Sequence, residues 1–582
     1  MIIFETHLTE ETLNFFQDNI KHLENHVHAN AIIKGISGIN CFFSTQDESS
    51  ALLEKINEYN PIISESDRRE FGDFQTNSSL ATQVVNYAFS KFNDFEFVLE
   101  PTCGKGNFII AAIKHSKTLK KIVGVEIYKP YVWETKFNIL AYYLTNKPIQ
   151  IPEIDIIHGN AFEFSYQQLA ISTKHLKTLV IGNPPWVTNS ELGSINSMNL
   201  PEKSNFKKHT GFDAITGKGN FDIGEYISLI MLNCFQYHNG LFVFLIKNSV
   251  IKNIIQDQKT NHYRICESEK LNIDTKKEFN VSVKASLFIS KLNCTPEFTC
   301  NEFDFYTKEK ITSFGWYKDK FVSSIKDYDR SCIIDGLSTF VWRSGIKHDC
   351  SKIMELEHYN GNYINGLNEN VNIENDLVYG LLKSSDLKND QTKSYRKLTI
   401  VTQNKIGQDT NYIREQYPLT YIYLLNHKTY FSNRKSSIYN DKPDFSIFGV
   451  GDYSFIPFKV AISGLYKSTH FTLVTPKDNK TVMLDDTCYF IGFLNLIDAK
   501  IAHFLVNSET VQLFLKSIIF SDSKRSVNKD TLMRIDFRSA FNDSCFDDAK
   551  TKLNELTIED WNSFGELLVS KNKHTQVQKL NF

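Results

Sequence analysis

The chain has 582 residues, 41% of them hydrophobic, which is ample for a sizeable core and for roughly two to four domains. Its formal net charge of −2 neither demands nor excludes nucleic acid, because only one cleft of such a protein has to be basic. No N-terminal stretch joins a basic end to an apolar run, and no apolar run reaches about 18 residues, so a soluble cytoplasmic protein without a membrane span is expected. Ten cysteines stand singly, at 41, 103, 234, 266, 294, 300, 332, 350, 488 and 545, with no C-x-x-C pair. That pattern reads as reduced thiols rather than a disulfide framework or a zinc ribbon. His348 and Cys350 lie close together, but two candidate ligands do not make a four-ligand site, and no metal is expected.

Residues 1–60 read as a short helical lead, with Leu8, Leu13, Phe16 and Ile20 at near-helical spacing. From about 61 to 300, short apolar strands alternate with amphipathic helices, the pattern of an α/β sheet domain. Strands are expected at Phe95–Glu100, Ile122–Glu126, Leu179–Gly182, Leu241–Ile246 and Ala285–Ile289. Over 310–582 helical periodicity weakens while aromatics, Ser, Asn and Gly rise, which predicts a mixed α+β domain.

The first strand runs into Pro101-Thr102-Cys103-Gly104-Lys105-Gly106, and Asn107-Phe108 opens a helix. A strand, a Gly-x-Gly turn and a helix put backbone N–H groups and a close-approach surface at the carboxyl edge of a sheet, where such sheets bind ligands. About twenty residues on, the next strand ends in Glu126, a carboxylate placed to accept from ribose hydroxyls. The turn alone does not separate a dinucleotide from S-adenosylmethionine. The missing third glycine and the Asn107-Phe108 helix start favour S-adenosylmethionine.

The strand around Leu179–Gly182 ends in Asn183-Pro184-Pro185-Trp186. A strand ending in a proline turn with a core tryptophan would read the same, but the turn upstream argues for chemistry. Consecutive prolines fix φ and remove two backbone donors, leaving a stiff loop with available carbonyls. An adenine amino group is a poor nucleophile because its lone pair is delocalised into the ring. The Asn183 side-chain oxygen and a proline carbonyl can accept from N6–H, drawing the nitrogen toward sp³ and aiming its lone pair, so that orientation carries much of the rate. Trp186 offers a flat face for the base.

These two segments resemble the signature motifs of the N6-adenine DNA methyltransferases, and their order, followed by a long C-terminal region, is similar to the gamma group of that family. The resemblance implies a Rossmann-like methyltransferase sheet over 61–300 and a target-recognition domain over 310–582. It further implies S-adenosylmethionine as cofactor, double-stranded DNA as substrate, and a separately encoded restriction endonuclease as partner. It carries cofactor roles onto Thr76, Glu100, Thr102, Cys103, Gly104, Gly106, Asn107, Phe108, Glu126, Ile127, Asn160, Ala161, Phe162 and Asn183. Catalytic roles fall on Asn183, Pro184, Pro185, Trp186 and Phe279, with Phe279 stacking on a flipped adenine opposite Trp186. Phe71-Gly72-Asp73-Phe74-Gln75-Thr76 is similar to the segment that precedes the cofactor motif, although Asn77 stands where the family has proline. Asn160 stands where it has an acid; a carboxamide can still accept from the adenine N6 of the cofactor and donate to N1. Lys218 to Tyr226 resembles the family segment beside the cofactor, and Phe279 to Ile289 its strand motif at the target base.

Among the basic clusters, Lys207-Lys208 lies in the catalytic half. Arg343 with Lys347 and His348, Arg434-Lys435, Lys467 and Lys524-Arg525 supply phosphate- or base-contacting groups in the C-terminal half. The stretch Thr402-Gln403-Asn404-Lys405-Ile406-Gly407 is of the same kind. Other readings stay open: an amino-group methyltransferase for RNA or protein, a fused restriction–modification enzyme, and a DNA-binding module with an inactive methylase fold.

Overall fold

The computed structural model describes residues 8–58, 75–187, 222–359, 361–388, 395–466, 468–520 and 527–579. The chain divides into two compact units, residues 1–321 and 322–582. The expected divisions at 60 and 300 both fall inside the first.

The first unit is built on a ten-stranded sheet. Its strands are β1 (Phe97–Glu100), β2 (Lys121–Glu126), β3 (Glu153–His158), β4 (Thr178–Gly182), β5 (Gly240–Lys247), β6 (Ile265–Asn272), β7 (Ala285–Leu292), β8 (Thr299–Asp304), β9 (Lys310–Tyr317) and β10 (Lys320–Val322). The order across the sheet is β3-β2-β1-β4-β5-β7-β6-β8-β9-β10. Strands β1 to β5 pair in parallel, and β7 enters antiparallel between β5 and β6. β1 and β4 are fully buried, as near-continuous apolar runs between two helical layers should be. The five expected strands are present, each within two or three residues of its expected ends. The chain leaves β1 toward β2 on one side and enters β4 on the other, so the β1/β4 junction is the topological switch point where a ligand crevice belongs.

The N-terminal lead is helical and belongs to this unit. Helices Glu10–Asp18 and His26–Ser37 pack against the long helix Lys129–Asn146, Lys129 pairs with Glu48 of the helix Gln46–Glu58 at 2.9 Å, and Phe16, Phe42, Phe43, Trp133 and Phe137 form a buried cluster there. Lys136 is buried under this cluster and donates to the Phe42 carbonyl at 2.9 Å; burial pushes its ammonium down to about 8. Ile39 bridges Ile154 in parallel, with Asn40 N donating to Ile154 O at 2.9 Å, so the lead adds one rung outside β3.

The sheet continues through β8 and β9, which the sequence texture hides because these strands are largely polar on an exposed edge. The antiparallel pairing of β6 and β7 also brings Cys266 beside Cys294, with Cα atoms 6.0 Å apart, and the structure joins them as a disulfide. The expectation of reduced thiols throughout is thereby corrected: 28 residues separate the two in sequence, and only the strand register brings them together.

The second unit is mixed α+β. It holds a six-stranded sheet that includes Glu355–Tyr359, Val378–Leu382 and Lys397–Ile400, a four-stranded sheet that includes Phe458–Ser463 and Cys488–Phe493, and helices such as Leu496–Val506 and Glu509–Ile518. Among the described residues, no helix is long and apolar enough to cross a membrane.

Candidate active site

At the end of β1 the chain turns through Pro101–Gly106 before the helix Asn107–His115. Gly104 and Gly106 both take positive φ, +50° and +76°. A Cβ at Gly104 would stand 2.5 Å from the Gln75 side chain, and one at Gly106 would stand 2.6 Å from the Thr135 methyl. Both positions therefore require glycine for conformation, and Gly106 also for space, since the short branched Thr135 cannot swing aside as the end of Gln75 can. Gln75 Oε1 accepts from Lys105 N at 3.2 Å, Thr135 Oγ1 donates to Gly104 O at 2.8 Å, and Asn107 Nδ2 donates to Thr76 O at 2.8 Å. The turn is thus held on one side by Gln75 and Thr76, from the segment that precedes it, and on the other by Thr135, which carries no signal of its own as one position in a long helix.

Glu126 closes β2 beside this turn. One carboxylate oxygen accepts from Gly104 N and the other from Tyr128 N, each at 2.8 Å. Glu100, at the end of β1, is only 2% exposed, and its Oε2 lacks a hydrogen-bond partner; the neighbouring Thr102 Oγ1 is also buried without one. Burial first, and then the nearby charge of Glu126, hold the Glu100 carboxyl well above its usual range. A buried acid with one unpartnered oxygen, a buried hydroxyl and a turn open to close approach fit S-adenosylmethionine, which carries an ammonium, a sulfonium and ribose hydroxyls. Pairing with a cation calls for an ionised Glu100, so binding is expected to release its proton. Affinity should rise with pH, by up to about tenfold per unit below the raised pKa, and level off above it. Calorimetric titration across pH should show this slope, and Glu100→Gln should flatten it; the same slope in that variant would remove Glu100 from the linkage.

Asn183 leaves β4 directly across the switch point. Its Nδ2 donates to Thr76 Oγ1 at 3.2 Å, which sets the amide with Oδ1 on its other arm. The loop is wedged against the helix Ile223–Phe235: Ile223 N donates to Val187 O at 3.0 Å, and Gly224 sits beside Pro184 and the Pro185 carbonyl. Asp222 caps that helix through Gly224 N at 2.9 Å and pairs with Lys247 at 2.8 Å. Burial raises the Asp222 carboxyl against the opposing pull of Lys247. Sequence inspection missed this pair, since a lone Asp and a lone Lys 25 residues apart give no sign of meeting.

Trp186 corrects one expectation. It is 3% exposed, its indole N–H donates to Leu245 O at 3.2 Å, and its ring meets Phe279 edge to face at 4.9 Å. A base held between two rings needs two stacking contacts of about 3.5 Å, hence roughly 7 Å between the rings. No such slot exists between Trp186 and Phe279. Trp186 is the buried wall behind Phe279, which is half-buried at the end of the helix Thr275–Phe279.

Of the other residues expected at the cofactor, Asn160 Oδ1 accepts from Phe162 N at 3.0 Å and Phe162 packs on Tyr226 at 5.4 Å, with Ala161 buried between them in sequence. Ile127 is half-buried, and its carbonyl meets His158 Nε2 at 3.1 Å. Phe108 and Cys103 lie in the hydrophobic core beneath the turn rather than on its open side.

In the second unit the basic clusters separate. Arg343 and Lys435 are exposed, Arg343 lying over Tyr453 at 4.9 Å, and Lys347 is half-buried near Asp349 at 3.5 Å. His348 and Arg434 are engaged within the protein. His348 is buried, its Nδ1 accepts from Cys350 N at 3.1 Å, and burial lowers its imidazole pKa. Arg434 stacks on Tyr439 at 3.6 Å and donates to Ser446 O at 2.6 Å and Phe431 O at 3.1 Å, a clasp that holds three loops. Phe71 to Phe74, Lys207, Lys208, Lys218 to Phe221, Lys467, Lys524 and Arg525 lie outside the described residues.

A family model described as N-6 DNA Methylase matches residues 57–234, which span both the glycine turn and the Asn183 loop. The Type II methyltransferase M.NspV of Nostoc sp. (strain ATCC 29411 / PCC 7524) is 38% identical over 477 residues, 81% of this chain and 97% of that protein. The chain belongs to the N-6 DNA methylase family. It is an adenine-specific DNA methyltransferase that uses S-adenosylmethionine and acts at defined sites. A solved DNA complex of the type IIL restriction–modification enzyme MmeI aligns with 97% of this methyltransferase and 90% of that chain, with a TM-score of 0.52 at 12% identity, a likeness of fold alone.

Proposed function

We propose that methyl transfer takes place at the end of β4, where Asn183 Oδ1 and a carbonyl of the Pro184-Pro185 turn accept the two N6–H groups of an adenine rotated out of the duplex. The observation that carries this is the bond from Asn183 to Thr76, which fixes the amide between the glycine turn and Phe279. Bound S-adenosylmethionine supplies an electrophilic methyl group at this point. Asn183 and the proline carbonyl would orient the N6 lone pair toward it; as the N–CH3 bond forms the S–CH3 bond breaks, the sulfonium leaves as a neutral thioether, the proton lost from the amino group passes to water, and no covalent link to the protein is required. Phe279 presents a ring face to the extrahelical base, worth about 1–3 kcal/mol against an extrusion cost of a few kcal/mol.

The second unit serves as the DNA target-recognition domain in this reading, with Arg343, Lys347 and Lys435 toward the duplex. The name of the 38% identical relative, a type II methyltransferase, supports a cytoplasmic role in protecting host DNA from a separately encoded endonuclease with the same site. Transfer of labelled methyl groups to unmodified duplex DNA, followed by modification-sensitive sequencing, should place N6-methyladenine in one short motif. Labelling of RNA or protein in place of DNA would overturn the reading. Cutting of DNA by the pure protein in Mg²⁺ would replace the separate endonuclease with a fused one.

A further inference from the structure

The structure gives the Asn77 side chain work that proline, the residue the family resemblance implies at this position, cannot do. Its φ of −67° is the value proline would adopt, so the backbone alone does not explain the amide. Asn77 Oδ1 accepts from Leu80 N at 2.8 Å and caps the helix Ser78–Lys91. Asn77 Nδ2 donates to Glu278 Oε2 at 3.2 Å, across 201 residues of sequence. The other Glu278 oxygen accepts from the Tyr306 hydroxyl at 2.9 Å, and burial, then this bond, pushes that phenol up to about 12.

The neighbours of this pair matter. Thr76, preceding Asn77, holds Asn183 through its hydroxyl and Asn107 through its carbonyl. Phe279, following Glu278, packs on Trp186 of the same loop that begins at Asn183. The contacts therefore close a ring: Asn183 to Thr76, along the chain to Asn77, across to Glu278, along the chain to Phe279, back to Trp186. Without the Asn77–Glu278 bond, that ring is open on its solvent side, and within it the short helix Thr275–Phe279 reaches the segment that steers Asn183 by the longer way alone, through Trp186.

We infer that Asn77 and Glu278 are positioning residues that fix Phe279 relative to Asn183, and so set how the extruded adenine is held, without touching cofactor or base. The inference rests on the roles proposed above for Asn183 and Phe279. Substitution by aspartate isolates the bond, because Asp keeps the helix cap and faces Glu278 with a like charge. Asn77→Asp should lower turnover on duplex DNA by about tenfold, with the dissociation constant for S-adenosylmethionine within about twofold and no fall in melting temperature. Fluorescence of 2-aminopurine at the target position of a duplex carrying the mapped site should fall in parallel, reporting a less firmly held base.

The decisive arm is the exchange of amide and carboxylate. Asn77→Asp combined with Glu278→Gln restores a donor facing an acceptor, and should bring turnover back to within about threefold of the parent. Wild-type turnover in Asn77→Asp overturns the inference, as does failure of the exchange to restore it. A loss of cofactor affinity that accounts for the whole defect overturns it as well. Phe279→Ala serves as the reference: an unchanged 2-aminopurine signal there would sink the role of Phe279 itself, a result separate from any outcome at Asn77.

Discussion

Asn183→Ala should lower the rate of methyl transfer by about 10²–10³-fold or more, while the dissociation constant for S-adenosylmethionine stays within a few fold. The asymmetry follows from how the side chain is held. Its amide nitrogen bonds to the Thr76 hydroxyl, while Thr76 is independently fixed by Asn107 through its carbonyl. Removing Asn183 therefore takes away the oxygen that orients the amino group but leaves the cofactor side of the site standing. The proline turn also survives, since it is pinned by Val187 O to Ile223 N and by Trp186 to Leu245 O. Single-turnover transfer and calorimetric binding on the same preparation separate the two effects. Normal turnover in the variant would refute the role given to Asn183.

Glu126→Ala should act the other way, chiefly on binding. Its carboxylate already accepts from Gly104 N and Tyr128 N, so it is rigidly placed before any ligand arrives. A charge-assisted bond to ribose hydroxyls is worth about 2–3 kcal/mol, or roughly 30- to 150-fold in the dissociation constant. The alanine also releases Gly104 N, so part of its defect comes from loosening the glycine turn. Glu126→Gln separates the contributions: it keeps an acceptor for the turn and loses the charge, and should fall between parent and alanine. An unchanged dissociation constant in Glu126→Ala would take this residue out of the ribose site.

What could be read from the sequence was what is local. The turn Gly104 to Gly106, the acid at Glu126 and the loop beginning at Asn183 each lie within a strand and its immediate exit, where spacing alone fixes the arrangement. The fate of Trp186 was not local: its N–H is taken by a carbonyl on β5, 59 residues away, which turns a candidate stacking face into a buried wall. The same holds for the basic clusters. Arg434 and Lys435 are adjacent and alike in sequence, yet one is locked between Tyr439 and the Ser446 carbonyl and the other points to solvent. Nothing in the local pattern distinguishes a clasp from a surface cation when the partners come from other loops. The departure at Asn77 was visible as a mismatch, but its meaning depended on Glu278, two hundred residues on.

The rung that Ile39 adds outside β3 has a consequence for the solution behaviour of the whole enzyme. A parallel sheet whose last strand lies bare offers a row of unpaired amides and carbonyls to any passing chain. Here Gly38 O and Asn40 N take up both backbone groups of Ile154, and Asn40 Nδ2 covers Asp155 at 2.9 Å. The helices on either side then roof the adjoining aromatic cluster. Residues 38–40, silent in every motif, thus guard the start of the outer edge of β3.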